Sequence, residues 1–324
     1  MMRAGGMYFS HSNKTLPLLI EPVPSEHVPD AEDFLASVTQ GHDNLTEKLL
    51  DAGALLFRSF PILDIPEFAR FARTFAGREL LSYVAGASPR TQLGGGVYTS
   101  TEYPSEFNLP LHNELSYTFE WPEYLFFYCI TPPGHGGETP LADSRQILKR
   151  LDREIVDRFK LRGLRYERLL EHGRDNQYSW QAAFETDDRE VVENYCRKGN
   201  VEFRWNDDCS LWLSEYRPAT AIHPKSGEEV WFNQADGFHP SVFGDEFYRE
   251  YLSNPGKHRL RLNVRFADGG EIDLGDLEHI RDVIKDLSSA VPWLEGDILV
   301  VDNMLACHGR NPFTGPRRVV LAMA

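Results

Sequence analysis

Cysteine is scarce in this sequence. There are four in 324 residues, at positions 129, 196, 209 and 307, and no two of them form a C-x-x-C pair. That spacing excludes a zinc ribbon and a thioredoxin motif, and it fits free thiols in a reducing cytoplasm. No stretch of 18 apolar residues occurs, so no transmembrane helix is expected. The start, Met1-Met2-Arg3-Ala4-Gly5-Gly6, has no apolar run of the signal-peptide kind, and a cytoplasmic protein is the expectation. Positive charge is in deficit, with 34 Lys and Arg against 49 Asp and Glu for a net charge of -15. Such a chain repels nucleic acid and anionic membrane surfaces, so neither is expected as a partner. Gly94-Gly95-Gly96 is not followed by the helix and lysine of a phosphate loop, and no G-x-S-x-G elbow occurs. Internal repeats, low-complexity tracts and regular βαβ alternation are also missing, which argues against a doubly wound sheet.

Apolar material is plentiful. Hydrophobic residues make up 41% of the chain and aromatics 12%, enough for a sizeable core in one domain spanning 1–324. Helical spacing predicts helices over 31–51, with Asp30 as cap, over 66–75, 145–159 and 277–287. Short apolar runs predict strands at 17–22, 53–60, 125–130, 230–232, 297–301 and 318–323. Between them, residues 79–109 lose all periodicity and read as an irregular lid segment. Residues 160–220 are mixed and polar and read as an insertion. The predicted class is mainly β with added helices (α+β), in a β-sandwich or jelly-roll arrangement.

Chemistry enters at His112-Asn113-Glu114. In an extended strand, residues two apart face the same way, so an imidazole and a carboxylate can reach one ion. His308 is the second candidate histidine. Two histidines and one carboxylate leave three octahedral positions open, the arrangement that suits non-haem Fe(II). His135, His172, His223 and His239 lie near Gly or Pro and read as turn or structural residues. By itself the H-x-E spacing is weak, since chance supplies about one such match in a chain this acidic.

Longer segments carry more. Leu111-His-Asn-Glu-Leu-Ser-Tyr117, Gly136-Gly-Glu-Thr139-Pro-Leu-Ala-Asp143 and Asp302-Asn-Met-Leu-Ala-Cys-His308-Gly-Arg-Asn-Pro-Phe313-Thr-Gly-Pro-Arg317-Arg318 together resemble the taurine dioxygenase/clavaminate synthase-like family of Fe(II)/2-oxoglutarate oxygenases. The likeness is to its syringomycin-biosynthesis-type branch, which acts in natural-product pathways. It extends through residues 53–60, 97–104, 223–228 and 231–233, nearly the whole chain.

The resemblance implies a double-stranded β-helix (jelly roll). It implies iron ligands His112, Glu114 and His308, with 2-oxoglutarate as co-substrate and O2 as oxidant. An arginine near the end anchors the distal carboxylate of 2-oxoglutarate, and both Arg317 and Arg318 match. They point to opposite faces of a strand, and Arg317 is favoured. Thr139 matches a hydroxyl that binds the same carboxylate. Asn108, Tyr98, Thr99, Phe232 and Asn233 are the candidate substrate contacts, with Ser100 weaker.

A second arginine that holds sulfonates in taurine dioxygenase has only Leu321 or Ala322 opposite it. The implied substrate is therefore an amino acid or a derivative, free or tethered to a carrier protein. Hydroxylation is the implied outcome. Desaturation, epoxidation or cyclisation use the same ligands and stay open. A halogenase is disfavoured by Glu114, and a non-catalytic jelly-roll module by the intact set.

Overall fold

The apolar runs around residues 54, 125, 298 and 319 alternate in destination, and that alternation builds the protein. In the computed structural model, which describes residues 3–4, 7–9, 16–23, 30–254 and 259–324, strands Ala54–Phe57, Ile298–Asp302, Tyr124–Thr131 and Arg318–Met323 lie side by side, in that order, within a nine-stranded sheet. All three contacts between them are antiparallel. Successive side chains leave a strand on opposite faces. Leu55, Phe57, Phe126 and Val300 face helices Ala31–Gln40 and Ile65–Ala76, where Phe34, Phe71 and Phe75 complete one core. Leu56, Phe127, Leu299 and Leu321 face the other way and pack with Leu141, Ala306 and Cys307. The first core is aromatic: the Phe57 ring meets Phe71 at 5.3 Å and Phe34 stacks on Phe60 at 4.3 Å. Each buried ring contributes about 1.5–3 kcal/mol, so Phe71→Ala is a costly change.

The Leu141, Ala306 and Cys307 side belongs to a short second sheet in the order Leu141–Asp143, Ala306–Arg310, Leu109–His112. Leu141–Asp143 and Ala306–Arg310 were not expected as strands, because each is brief and the second alternates nothing; at 109–112 an extended strand was expected only around the His112-Asn113-Glu114 motif. Their packing partner across the core is the main sheet.

Other expectations are refined. The helix expected over 31–51 is two helices, Ala31–Gln40 and His42–Ala52, broken at Gly41; Asp30 does cap the first through a capping box. The one expected over 145–159 is broken where Leu151 turns extended, giving Ser144–Arg150 and Arg153–Arg162. The lid segment is not wholly irregular: Gln92–Gly94 and Val97–Thr99 form a hairpin that extends the main sheet, with Thr99 opposite Val320. Its turn needs Gly94, Gly95 and Gly96, all at positive φ, a run only glycine adopts without strain.

Residues 160–220 are ordered as well. Strands Leu164–Leu170, Leu211–Arg217 and Glu202–Trp205 join Leu262–Phe266 in a four-stranded sheet. Inside it Arg168 and Glu215 form a fully buried ion pair at 3.0 Å. Part of the expected N-terminal arm lies outside the described residues. Among the described residues, the four cysteines are free and no helix is long and apolar enough to cross a membrane.

Candidate metal centre and co-substrate pocket

Strand pairing brings the two histidines together. His308 lies directly opposite His112 in the register of the short sheet, and their ring centroids are 4.5 Å apart. Glu114 arrives differently from the expectation. The strand ends at His112, and Glu114 sits in the turn that follows, where Leu115 has positive φ. Its backbone is clamped by Asn303: the Glu114 N–H donates to Asn303 Oδ1 at 2.7 Å, and Asn303 Nδ2 donates to the Glu114 carbonyl at 2.9 Å. Asp302 next door caps the backbone of Met304 and Leu305 and pairs with buried His223 at 3.1 Å, so His223 is structural.

Glu114 Oε2 lies 3.9 Å from His112 Nε2 and 4.0 Å from His308 Nε2. The three ligand atoms fall within 4.8 Å of one another, and two of the three residues are buried. Metal–ligand bonds of about 2.1 Å allow two donors of one ion to be up to about 4.2 Å apart, and adjacent octahedral positions require closure by about 1 Å. His112 Nδ1 is 2.9 Å from the Pro110 carbonyl. A proton there leaves Nε2 with its lone pair free for a cation. The donor set, two imidazoles and one carboxylate, fits Fe(II).

Two residues of the lid segment hold Glu114 that the sequence did not single out. Tyr83 Oη donates to Oε1 at 3.2 Å, and Arg90 Nη2 donates to Oε2 at 2.7 Å. Burial by itself would raise the Glu114 carboxyl pKa. The Arg90 charge, helped by His112, outweighs it and holds the group well below the usual carboxylate range. Burial pushes the Tyr83 phenol up to about 12, with the Glu114 charge adding to it. Burial likewise drives His308 well below its ordinary value, and His112 adds to the effect. The site therefore presents neutral His308 beside an ionised carboxylate.

A small solvent-connected cavity adjoins these groups, lined among others by Arg90, His112, Phe127, Thr139, His308 and Arg317. The Phe127 ring, from the main sheet, lies 5.2 Å from that of His308. Arg317 enters the cavity and Arg318 does not: Arg318 is exposed on the outer side of its strand. Arg317 has no carboxylate partner in the cavity. Its guanidinium donates to the Gly137 carbonyl at 2.9 Å and to Ser100 Oγ at 3.3 Å. Burial, reinforced by the charge of Arg310, lowers its pKa to about 10. Arg310 also lines the cavity, two residues beyond His308, and its guanidinium is taken up by the carbonyls of Tyr103, Pro104 and Phe107. That spacing of two was the available signal for it; for Tyr83 and Arg90 there was none.

The expected substrate contacts are scattered. Asn108 is exposed beside the cavity strand. Tyr98 is buried in the main sheet with its hydroxyl accepting from Tyr83 N–H, and Thr99 Oγ1 serves the hairpin through Thr91 and Glu102. Phe232 packs with Met304 and Leu305 away from the cavity, and the Asn233 amide is spent on Ala219 and Ala235. Ser100, also among the candidates, does line the cavity, whose wall further offers Ser88, Thr101 and Leu109.

Fold and site define a mixed α/β protein with a cluster of two histidines and one glutamate that could hold a metal ion. Residues 21–324 match the family model of the taurine catabolism dioxygenase TauD, TfdA family. The chain is 35% identical over 316 residues to the dapdiamide synthesis protein DdaC of Enterobacter agglomerans, covering 97% of this chain and 95% of that protein. It is 31% identical over 327 residues to a clavaminate synthase-like protein of Arabidopsis thaliana, covering 97% and 94%. Among solved structures, PvcB of Pseudomonas aeruginosa superposes with a TM-score of 0.52 at 16% identity over 94% of this chain and 84% of that one. A taurine dioxygenase of Burkholderia xenovorans gives 0.54 at 13%, over 98% and 90%.

The chain belongs to the TauD/TfdA family, and its class is that of the Fe(II)- and 2-oxoglutarate-dependent oxygenases. Its cofactors are accordingly Fe(II) and 2-oxoglutarate, with O2 as oxidant.

Proposed function

We propose that this enzyme hydroxylates a small substrate of the amino-acid type, free or carried on a carrier protein, within natural-product biosynthesis. His112, Glu114 and His308 would hold Fe(II). Arg317 and Thr139 would receive the distal carboxylate of 2-oxoglutarate, since a planar guanidinium grips a carboxylate through two hydrogen bonds. When bound, Fe(II) and 2-oxoglutarate with O2 supply the oxidising equivalent that breaks a C–H bond, with release of succinate and CO2. Phe127 would wall the histidine side against water, and Ser88, Thr101 and Leu109 would meet the substrate. A one-domain reading of 1–324 goes with this, the main sheet and the short sheet forming the two walls of a double-stranded β-helix.

One observation carries the proposal: His308 meets His112 and Glu114, far earlier in the chain, with all three ligand atoms within 4.8 Å of one another beside a cavity in which Arg317 has no carboxylate partner. The name of one relative, a dapdiamide synthesis protein, supports a place in natural-product biosynthesis.

The test is anaerobic addition of Fe(II) and 2-oxoglutarate to metal-free protein, followed by screening free and carrier-bound amino acids for succinate release. A visible charge-transfer band, then substrate-dependent succinate, is expected. No band, or succinate release undiminished in Glu114→Ala, would reject the site assignment.

A further inference from the structure

Glu114 Oε2 is asked to do two things. It is the oxygen nearest both imidazole nitrogens, at 3.9 and 4.0 Å, and it is also the oxygen that accepts from Arg90 at 2.7 Å. The side chains of Arg90 and Glu114 are 5% and 4% exposed, so water screens little between them. One carboxylate charge therefore faces a guanidinium in the metal-free protein. A divalent cation at the same oxygen would stand a few ångströms from that guanidinium, and like charges so placed repel strongly.

Arg90 is also a piece of the lid segment. Its Nη1 donates to the Ser100 carbonyl, with the Thr99 carbonyl at 3.5 Å, and its guanidinium carbon sits 4.7 Å from the centre of the Tyr83 ring. Its Nε is buried with no hydrogen-bond partner. Tyr83 in turn holds the other oxygen of Glu114. The lid and the carboxylate are thus one bonded unit.

Taking His112, Glu114 and His308 as the metal ligands, we propose that Arg90 is a built-in rival of the metal for Glu114. It keeps the buried carboxylate paired and in place until a cation arrives. It lowers affinity for that cation, and cation binding loosens its grip and with it the lid around 88–102. Linkage makes these statements one: whatever the cation does to the Arg90 contact, that contact does to cation affinity. Arg90 is a positioning residue, acting on the metal through Glu114. Most hydrogen-bond partners of metal ligands strengthen binding by orienting and polarising the ligand. A cationic partner on the shared oxygen reverses that sign.

Co(II) is the probe, titrated calorimetrically into the metal-free full-length chain. Arg90→Met is expected to bind Co(II) about tenfold more tightly than the wild type, and Arg90→Lys within about twofold of it, because the charge is retained. Arg90→Gln keeps a hydrogen bond without the charge and should follow Arg90→Met; it covers the case in which the methionine variant folds poorly. In hydrogen exchange, Co(II) should speed exchange across 88–102 in the wild type and leave it unchanged in Arg90→Gln. Unchanged or weaker Co(II) affinity in both neutral variants overturns the rivalry and makes Arg90 an orienting support. Failure of the wild type to bind Co(II) at all would remove the metal assignment itself, and the rivalry with it.

Discussion

Replacing Arg317 by methionine should separate binding from folding, because the two effects have opposite sign. The guanidinium is largely buried, bonded only to the Gly137 carbonyl and Ser100 Oγ, and no carboxylate neutralises it in the cavity. Burial and the nearby Arg310 charge depress its pKa from 12.5 to about 10. The sign follows from proton counting. Between pH 10 and 12.5 the unfolded chain holds the proton and the folded one does not; below pH 10 both hold it, and the folded state bears the whole penalty. At about 1.4 kcal/mol per pKa unit, the charged form costs the ligand-free fold on the order of 3 kcal/mol. Arg317→Met removes that cost and part of the packing with it, so the melting temperature of the ligand-free variant should be equal or higher.

Binding should move the other way. Two charge-assisted hydrogen bonds to the distal carboxylate, each worth about 1.5–3 kcal/mol, are lost, so 2-oxoglutarate should bind about 100-fold to 10,000-fold more weakly. Arg318→Met, on the exposed face, should change affinity less than about twofold. The assay is anaerobic titration of the Fe(II) protein with 2-oxoglutarate, read from the charge-transfer band, beside thermal melts of the metal-free variants. Wild-type affinity in Arg317→Met, or a large loss in Arg318→Met, would refute the reasoning.

Glu114→Gln removes the counter-charge of buried Arg90, and a broken buried pair costs about 3–5 kcal/mol, so denaturant unfolding of the metal-free variant should show that loss together with absent succinate formation. Arg168→Met breaks the pair with Glu215 and the donation to the Ala85 carbonyl in the lid segment; a loss of about 3–5 kcal/mol of unfolding free energy is expected in urea unfolding, and an unchanged midpoint would refute it. Burial, with Arg281 and Arg265, lowers buried His239 from 6.5 to about 4, so the unfolded chain takes up a proton there that the folded one refuses. Stability should fall by about 3 kcal/mol as pH drops from 6.5 to 4, and His239→Gln should flatten that part of the curve measured by urea unfolding.

Sequence by itself determined the elements whose signal is local. Asp30 starts a helix because its side chain accepts from the backbone N–H of Asp33, three residues on. The four central strands of the main sheet were legible because each is a short, nearly unbroken apolar run. His112, Glu114 and His308 were legible as a set only through the longer segments around them, since each is unremarkable in isolation.

Tertiary structure decided the rest. The short sheet has no hydrophobic period of its own, and only the pairing of Ala306–Arg310 with Leu141–Asp143 on one side and Leu109–His112 on the other makes it a sheet at all. Whether Arg317 or Arg318 turns inward depends on which face of one strand meets the cavity, a choice the adjacent pair of arginines leaves open. Glu114 reaches the histidines through Asn303, 189 residues away, and is gripped by Tyr83 and Arg90 from a segment without periodicity. Such contacts depend on distance and burial in three dimensions. Phe232 and Asn233 failed as cavity residues for the same reason: proximity to a motif in the chain is not proximity in the fold.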